Sequence, residues 1–447
     1  CKNISKENNM KKFILATTFA HIVTITAAQT LETAMSYQKN EQFTQAIVCY
    51  EEIISEEPYN ISALFQLGHC YLAIGEKEKA LDAFNSIVQI EPNAIAAQYN
   101  LGYTYKTFGD LDKAIEIYQK VLQTCPDYEP AHLALGFAYI TQGDFENGWQ
   151  QHSRYLRQSG KNGDILRSLL ENEDIIYKKI LLRHEGGLGD TLNFIRYAEL
   201  FHQMGADVIV SCQKQLIPLL SRCSYVDQFI PAGVQMPAYD ADATLMSLPA
   251  IFEDTQETVP QNIPYIFADP ALVTYWHQQL AQDTNFKIGL CWQVDVHNDQ
   301  SKLPIARRGY PLAEFAVLAN IENVSFYSLQ RYDGTEQLAT LPEQFKLHVF
   351  ENLDEKSGPF MDTAAIIKNL DLIITVDTAI AHLAGALGCD VWLLHPYATA
   401  DWRWIHRRTD SYWYPTIRIF KQHEPFGYTN VLKEVKQELI RLLKKAS

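Results

Sequence analysis

The stretch LGHCYLAIGEKEKALDAFNSIVQIEP at residues 67–92 returns, with substitutions, as LGYTYKTFGDLDKAIEIYQKVLQTCP at residues 101–126, a step of 34 residues. A glycine, a tyrosine, an alanine, an aromatic ring and a proline each keep this spacing. They stand at Gly68, Gly102 and Gly136; Tyr71, Tyr105 and Tyr139; Ala46, Ala80 and Ala114; Tyr50, Phe84 and Tyr118; and Pro58, Pro92 and Pro126. A fixed period of this length predicts stacked helical pairs, because one pair alone cannot bury its apolar face.

The order L-G-x-x-Y, alanine, aromatic, proline in a 34-residue period is the signature of tetratricopeptide (TPR) repeats. Three clear repeats cover about residues 27–128. A fourth, whose second helix reads DFENGWQQHSRYLRQ, extends the array to about residue 160 and is altered as a terminal cap would be. We expect the array to bind a protein or peptide in its concave groove; the alternative is that it only rigidifies or dimerises the protein.

The pattern changes beyond about residue 175, where KKILLRHEGGLGDTLNFIRYAELF begins at Lys178. It predicts a buried strand at Ile180–Arg183, an amphipathic helix at Thr191–Met204 and a second strand ending at Cys212. Strands alternating with helices favour parallel sheets. The predicted fold class is therefore α + α/β, a helical solenoid followed by a two-lobed domain with Rossmann-like sheets. The lobes are expected at 175–265 and 266–422, and a basic return helix at 423–447 is expected to pack across the first lobe.

The bulk composition limits the partners. A net charge of −15 over 447 residues argues against a broad nucleic-acid-binding surface, although it permits a small basic pocket. The eight cysteines have no zinc-ligand spacing and are expected to be free thiols of a reducing compartment, so no metal and a cytoplasmic location are expected.

The segment 1–26 allows two interpretations. From Met10 it reads MKKFILATTFAHIVTITAAQT, two lysines followed by an apolar run, as in a secretory signal peptide. An extra hydrophobic helix against the first repeat fits equally. A secreted or anchored location, and association with a membrane, therefore stay open.

Two loops carry candidate binding residues. EGGLGDT, with Gly187, Gly189 and Asp190, follows the first strand and opens a helix, whose N-terminus suits an anion. The alternatives are that the glycines serve only helix–sheet packing and that Asp190 is a plain N-cap. VDTAIAHLAGALG likewise opens a helix and places Thr378 and His382 on one face, which suits a diphosphate; the alternative is a capped core helix with a satisfied histidine.

Two further stretches each allow a functional and a structural interpretation. Asp240 and Asp242 match a D-x-D metal motif but alternate along an apparent strand, so they are expected at a strand edge rather than on a metal. DWRWIHRRTDSYWYP, at 401–415, contains Trp402, Arg403 and Trp404. It could form a stacking wall for a base, a sugar ring or an acceptor, or an aromatic-packed loop.

Together these pieces resemble TPR-fused relatives of the ADP-heptose:lipopolysaccharide heptosyltransferase family, glycosyltransferase family 9. The resemblance covers about residues 175–425 and rests on EGGLGDTLNFIRY, SLP, GLCWQ with RRGYPL, SLQ, DTAAIIKNLDLIITVDTAIAHLAGALG, and DWRW with WYP. The joining of TPR repeats to such a domain is also similar to protein O-GlcNAc transferases, whose motifs fit less well.

The resemblance implies a GT-B fold and an inverting, metal-independent transfer from a nucleotide-sugar donor to an acceptor hydroxyl, without a further cofactor. It implies that Asp190 is the candidate base. It assigns the donor's diphosphate to Arg308 and to the loop with Asp377, Thr378, Ala379 and His382. Gly309 stands where the family has serine, which affects the local loop geometry rather than the charge. The alternative is a non-catalytic TPR scaffold whose second domain only binds a sugar nucleotide or a protein.

Overall fold

A computed structural model describes residues 31–158, 164–172, 174–295, 303–398 and 401–446 of the chain. These residues divide into two compact units. The first comprises the described residues up to Asp127 together with Leu303–Ile305, and the second comprises the rest. The signal-like segment 1–26 lies outside the described residues.

The N-terminal part of the chain is a helical repeat array. Its helices are α1 (31–39), α2 (Phe43–Glu56), α3 (Ile61–Ile74), α4 (Lys77–Ile90), α5 (Ile95–Thr107), α6 (Leu111–Thr124), α7 (Glu129–Gln142) and α8 (Phe145–Gln158). The repeated prolines each stand two residues beyond α2, α4 and α6, where a missing N–H removes no helical hydrogen bond. The 34-residue period is therefore one helical hairpin, as predicted.

The repeated glycines and rings meet within two hairpins of the first unit, α3 with α4 and α5 with α6. A Cβ atom on Gly68 would lie 2.7 Å from the Phe84 ring, and one on Gly102 would lie 2.6 Å from the Tyr118 ring. Both distances are shorter than a carbon–carbon contact allows, so glycine is required for the ring to seat against the partner helix. Asn60 adds a cap at the start of α3 by accepting a 3.0 Å hydrogen bond from the Ala63 N–H.

The fourth hairpin, α7 with α8, belongs to the second unit. The boundary between the two compact units thus falls at Asp127, and not near residue 160, where the 34-residue period ends. Ile140, Phe145 and Trp149 of this hairpin share one apolar core with the first sheet of the α/β domain. The fourth hairpin, whose second helix is altered as a terminal cap would be, therefore packs against the α/β domain.

The remainder of the second unit contains two all-parallel sheets. One has the order β3-β2-β1-β4 and the other the order β10-β9-β8-β5-β6-β7. The strands are β1 (Lys179–Arg183), β2 (Asp207–Cys212), β3 (Gln228–Pro231), β4 (Ala241–Thr244), β5 (Phe286–Cys291), β6 (Val324–Ser328), β7 (Leu347–Val349), β8 (Leu372–Val376), β9 (Val391–His395) and β10 (Ile417–Lys421). The strand after EGGLGDT is parallel to the strand before it, as predicted, with Ile180 opposite Val208.

Helices connect these strands. They are α9 (Asp164–Glu171), α10 (Leu188–Phe194), α11 (Tyr197–Gln203), α12 (Ile217–Leu220), α13 (Leu248–Ile251), α14 (Pro270–Leu280), α15 (Met361–Ile367), α16 (Ala379–Ala386) and α17 (Tyr428–Ala446), with short 3-10 turns between them. The single helix predicted at Thr191–Met204 is divided into α10 and α11 by a turn at Ile195 and Arg196. Both residues keep right-handed helical φ and ψ, but the bonds from the Ala198 and Glu199 N–H groups span three residues instead of four. No helix among the described residues is both long and apolar enough to span a bilayer.

The second sheet is buried on both faces. Along β8, Leu372, Ile374 and Val376 join one apolar core while Ile373 joins the other. Such two-sided burial explains why the central strands read as continuous apolar runs.

The prediction for the C-terminal helix was wrong in one respect. Val431, Leu432, Val435 and Leu439 of α17 pack in the core of the second sheet with the segment Leu312–Leu318, and not across the first lobe. The described cysteines are free thiols, as expected.

Candidate functional site

The two predicted loops lie together, although they follow strands of different sheets. EGGLGDT follows β1 of the four-stranded sheet, and the Asp377 loop follows β8 of the six-stranded sheet. A Cβ atom on Gly189 would lie 2.7 Å from Cδ2 of His382 and 3.6 Å from Cα of Ala379. Helices α10 and α16 therefore pack at close range, and their N-terminal ends carry the candidate residues to one place. In parallel sheets the loops at the carboxyl ends of the strands are where ligands bind.

Asp190 bridges both sides of this junction. Its Oδ2 accepts a 2.6 Å hydrogen bond from the Gly187 N–H, and its Oδ1 is paired with Arg403. Gly187, not Asp190, occupies the N-cap position of α10, so the plain N-cap interpretation of Asp190 is wrong. Gly186 has a φ of 75°, and a Cβ atom there would strike the Asp190 carboxylate. The glycines of this loop thus make room for the acid.

The guanidinium of Arg403 contacts two carboxylates and two aromatic rings. Its guanidinium is paired with Asp190 and, at 2.6 Å, with Asp401, and it lies 4.9 Å and 4.8 Å from the ring centres of Phe194 and Trp402. Burial opposes its charge, but Asp401, Asp190 and Asp377 together keep the pKa of Arg403 above its ordinary value. The arginine is therefore a fixed cation between two carboxylates.

Asp377 follows β8 and is almost fully buried. Its Oδ2 lies 3.8 Å from Nη1 of Arg308, and its Oδ1 lies 3.8 Å from Nε2 of His382. Burial, followed by the charge of Asp401, raises the pKa of Asp377 to about 6, while Arg308 and Arg403 oppose the rise. Next to it, Thr378 caps α16 by accepting a 3.1 Å hydrogen bond from the Ile380 N–H.

His382 is enclosed by aromatic residues. Its Nδ1 lies 3.0 Å from the Tyr414 hydroxyl oxygen, and its ring stacks on Trp404 at 5.7 Å. Burial, followed by the charge of Arg403, lowers the pKa of His382 to about 3. The imidazole is therefore neutral near pH 7, and what it can offer a ligand is one N–H rather than a positive charge.

The prediction of an aromatic wall is corrected by the structure. Trp402 stacks on Phe137 at 5.6 Å and on Phe194 at 5.9 Å, and Trp404 is fully buried against His382. The faces of both indoles are already covered by protein, so neither is open to a sugar ring or a base. DWRW is thus a packed segment whose polar contributions are Asp401 and Arg403.

The remaining motif residues of the second sheet assemble around Gln330. Its Oε1 accepts hydrogen bonds from the Trp292 and Gln293 N–H groups at 3.0 Å and 2.9 Å, and its Nε2 donates to the Gln293 carbonyl at 3.1 Å. A Cβ atom on Gly309 would lie 2.5 Å from the Gln293 side chain, so glycine at this position makes room for that side chain. SLQ, GLCWQ and RRGYPL are therefore parts of one loop junction.

We refer to Asp190, Arg308, Asp377, His382, Asp401 and Arg403 as the carboxyl-edge cluster. The sequence singled out each of these except Asp401. The available signal for Asp401 was its position at the start of DWRW, two residues before an arginine, where it can accept from the Arg403 N–H. Gln330 belongs to the SLQ motif, but the sequence alone predicts no role for it.

Asp240 and Asp242 lie outside this cluster, on and beside the edge strand β4. Asp240 accepts a 2.7 Å hydrogen bond from the Lys179 N–H, and Asp242 pairs with Arg183 at 2.8 Å. Within the described part of the chain, no group of three or more His, Cys, Asp or Glu residues is arranged to hold a metal ion.

Comparison with known proteins identifies the repeats. A family profile described as tetratricopeptide repeat matches residues 37–101, and one described as TPR repeat matches residues 108–143. The chain therefore contains TPR repeats, which are modules of protein–protein interaction.

One curated relative and several solved structures are similar to parts of the chain. Protein FlbA of Caulobacter vibrioides is 26% identical over 270 residues, covering 56% of this chain and 44% of FlbA, so the match spans less than half of that protein. A crystal structure of MamA is 25% identical with a TM-score of 0.29, covering 31% of this chain and 81% of MamA. A tetratricopeptide repeat protein from Parabacteroides merdae is 18% identical with a TM-score of 0.29, covering 33% and 60% of the two chains.

Proposed function

We propose that the second unit is a GT-B-type glycosyltransferase that moves a sugar from a nucleotide-diphosphate donor to an acceptor hydroxyl. The observation that carries this proposal is the carboxyl-edge cluster. Asp190 from the four-stranded sheet stands beside Arg308, Asp377 and His382 from the six-stranded sheet, with Arg403 between them. A carboxylate next to cations and a helix N-terminus is what transfer from a diphosphate leaving group requires.

In the proposed reaction the acceptor oxygen attacks the anomeric carbon of the donor sugar. The bond from that carbon to the diphosphate breaks, and the acceptor proton passes to the Asp190 carboxylate. Attack from the side opposite the leaving group inverts the configuration. Arg403 and the Gly187 N–H both contact the Asp190 carboxylate and fix its position.

The leaving diphosphate gains negative charge, and three groups on the second sheet can stabilise it without a metal. Arg308 is a half-buried cation beside Asp377. Helix α16 presents its N-terminal N–H groups behind Thr378. His382 can donate one N–H as a neutral imidazole.

The TPR repeats support a protein partner, and we propose that the array binds either the acceptor protein or a protein that delivers it. A second candidate function is a non-catalytic scaffold whose α/β domain only binds a sugar nucleotide or a protein. The adjacency of Gly189 and His382 brings the proposed base to the proposed donor loop, which favours the enzyme over the scaffold.

A screen of nucleotide sugars by thermal shift tests the proposal. A saturating donor should raise the melting temperature, since binding at about 100 times Kd stabilises the folded state by roughly 2.7 kcal/mol. Donors that bind are then incubated with the protein, and released nucleoside diphosphate is measured. Binding with release supports the enzyme, and binding without release under any acceptor tested supports the scaffold. No binding by any nucleotide sugar contradicts the enzyme and leaves a scaffold that binds only protein.

A further inference from the structure

Behind the carboxyl-edge cluster lies a buried arginine with no carboxylate at ion-pair distance among the described residues. Arg196 is 2% exposed, and its guanidinium donates to backbone carbonyls of Asn193, Pro260 and Trp413. Its ring neighbours are tyrosines, with Tyr265 and Tyr414 at 4.4 Å and 4.6 Å from the guanidinium carbon. Burying a positive charge without a paired carboxylate costs free energy even when its N–H groups are hydrogen-bonded. The position of Arg196 therefore suggests that it has a role.

A chain of hydrogen bonds leads from this arginine to His382. Arg196 Nη2 donates to the Tyr265 hydroxyl at 2.7 Å, the Tyr265 and Tyr414 hydroxyl oxygens lie 3.3 Å apart, and the Tyr414 hydroxyl lies 3.0 Å from Nδ1 of His382. The four side chains are all nearly or fully buried. Tyr265 also bonds to the carbonyl of Leu192 on α10, so the chain is fixed to both α10 and α16.

The groups next to the two ring nitrogens of His382 decide which nitrogen carries the proton. Nε2 faces the Asp377 carboxylate at 3.8 Å, which favours a proton on Nε2. Nδ1 is then an acceptor and needs a donor, which the Tyr414 hydroxyl supplies. The one Tyr265 hydroxyl hydrogen is shared between the Leu192 carbonyl at 2.9 Å and the Tyr414 oxygen at 3.3 Å, so Tyr265 holds the Tyr414 hydroxyl through the longer of these contacts. The low pKa of His382, caused first by burial and then by Arg403, agrees with a single neutral ring.

We propose that Arg196, Tyr265 and Tyr414 form a positioning relay that holds His382 as the neutral Nε2–H tautomer, with that N–H directed to the Asp377 side of the carboxyl-edge cluster. The proposal deepens the proposed function, on which its consequence for the donor rests: the Nε2–H is the group offered to the diphosphate. The tautomer itself does not depend on any activity.

The first experiment reads the tautomer directly. Full-length protein with ¹⁵N-labelled histidine rings is compared with the His382→Asn variant, which identifies the His382 signals in long-range ¹H–¹⁵N spectra. The wild type should show the Nε2–H tautomer, unchanged between pH 5 and pH 8. Tyr414→Phe keeps the ring that packs on Gly385 but removes the hydroxyl, and should give mixed tautomers or the Nδ1–H form.

A matched control is Tyr225→Phe, which also removes a buried hydroxyl in this region. Tyr225 donates at 2.7 Å to the backbone carbonyl of Tyr265 and takes no part in the relay, so its loss should leave the His382 signals unchanged. If Tyr414→Phe does not fold, Tyr265→Phe tests the preceding link of the relay and should give the same mixing. An Nδ1–H wild type, a ring that titrates near its ordinary pKa, or a Tyr414→Phe spectrum identical to wild type would overturn the relay.

The second experiment measures affinity for ADP, GDP and UDP by calorimetry. For whichever diphosphate binds, Tyr414→Phe should weaken affinity by about 3- to 10-fold relative to Tyr225→Phe, the change expected for one misdirected hydrogen bond. Equal affinities in the two variants would overturn the donor-positioning role. If no nucleotide sugar binds wild type in the thermal-shift screen while the tautomer is as expected, the proposed function fails and the relay stands.

Discussion

The Asp190 carboxylate has two partners, the Gly187 N–H and Arg403, and they differ in whether they need a charged group. The Gly187 N–H can be satisfied by an amide oxygen as well as by a carboxylate, whereas the pair with Arg403 requires a charge. Asp190→Asn therefore keeps the contact within α10 and removes both the ion pair and the ability to accept a proton. We expect turnover to fall by about 10²- to 10⁴-fold, measured as nucleoside diphosphate release.

The control for this variant is Asp401→Asn, which takes the other carboxylate from the same guanidinium. Both variants should lose a comparable part of the unfolding free energy, because each leaves Arg403 with one partner. Only Asp190→Asn should lose most of its turnover at saturating donor. Equal turnover in the two variants would make Asp190 a structural residue, and Glu185 and His382 would be examined next.

Arg308 is the proposed donor contact with the most exposure, and its neighbour offers a test. Arg308→Ala should weaken donor affinity by about 10- to 100-fold, since a charge-assisted hydrogen bond to phosphate contributes roughly 1.5–3 kcal/mol. Arg307 is adjacent and exposed, so Arg307→Ala removes the same charge from the loop without the contact to Asp377. Calorimetry with both variants separates the specific contact from general attraction, and equal affinities would remove Arg308 from the site.

At the scale of elements, one of the contacts between the fourth hairpin and the α/β domain is made through the loop after α13. Trp149 on α8 donates at 2.8 Å to the backbone carbonyl of Asp254, which follows α13, and the Asp254 carboxylate is bonded by Tyr197 on α11. Burial raises the pKa of Asp254 to about 7, although the Tyr197 hydrogen bond opposes the rise. Asp254 therefore links α8, α11 and the end of α13, and its carboxyl group stays protonated to a higher pH than an exposed one.

This acid predicts a pH dependence of stability. The unfolded chain releases the Asp254 proton near pH 4 and the folded chain near pH 7, so between these values the folded state binds more protons. The unfolding free energy should therefore decrease as pH rises through this window, by up to a few kcal/mol. In urea denaturation at pH 5 and pH 8, Asp254→Asn should remove that decrease.

Glu253→Gln is the control, because Glu253 is the neighbouring acid and its side chain is largely exposed. The unfolding free energy of Glu253→Gln should depend on pH in the same way as that of wild type. A wild-type decrease that persists undiminished in Asp254→Asn would place the responsible group elsewhere.

For the whole molecule, the boundary between compact units differs from the boundary between sequence patterns. The repeat continues through α8, but α7 and α8 share their core with the α/β domain. Phe137 and Trp149 cover Trp402 at 5.6 Å and 5.5 Å. A domain cut where the repeats end would therefore expose the part of the Trp402 ring that the hairpin covers.

Two truncations test this. A chain beginning at Tyr128 should unfold cooperatively in urea, with buried tryptophan fluorescence. A chain beginning at Asp164 lacks the hairpin and should be several kcal/mol less stable or aggregate, since each large apolar side chain uncovered costs about 1.5–3 kcal/mol. Equal midpoints for the two chains would show that the hairpin is dispensable to the domain.

The sequence by itself determined the features that depend on local spacing. The 34-residue period gave the hairpins, because glycine, ring and proline act within one repeat. The apolar runs at Ile180–Arg183 and before Cys212 predicted β1 and β2. The runs KIGLCWQ, NVSFYSLQ, DLIITV and VWLLHP indicate strands in the same way and correspond to β5, β6, β8 and β9, because burial on both faces leaves a continuous apolar pattern. Strands β3, β7 and β10 lie at the edges of the sheets, where the pattern is weak, and they were not predicted.

Only the tertiary structure decided which of the distant groups meet. Asp190 and Arg403 are 213 residues apart, and Arg196 and Tyr414 belong to different motifs. Trp402 and Trp404 are buried rather than open because the fourth hairpin and α16 cover them, and α17 packs on the second sheet because its apolar stripe matches the Leu312–Leu318 face. Periodicity reports that a face is apolar but not which surface covers it, since that choice depends on contacts between segments far apart in the chain.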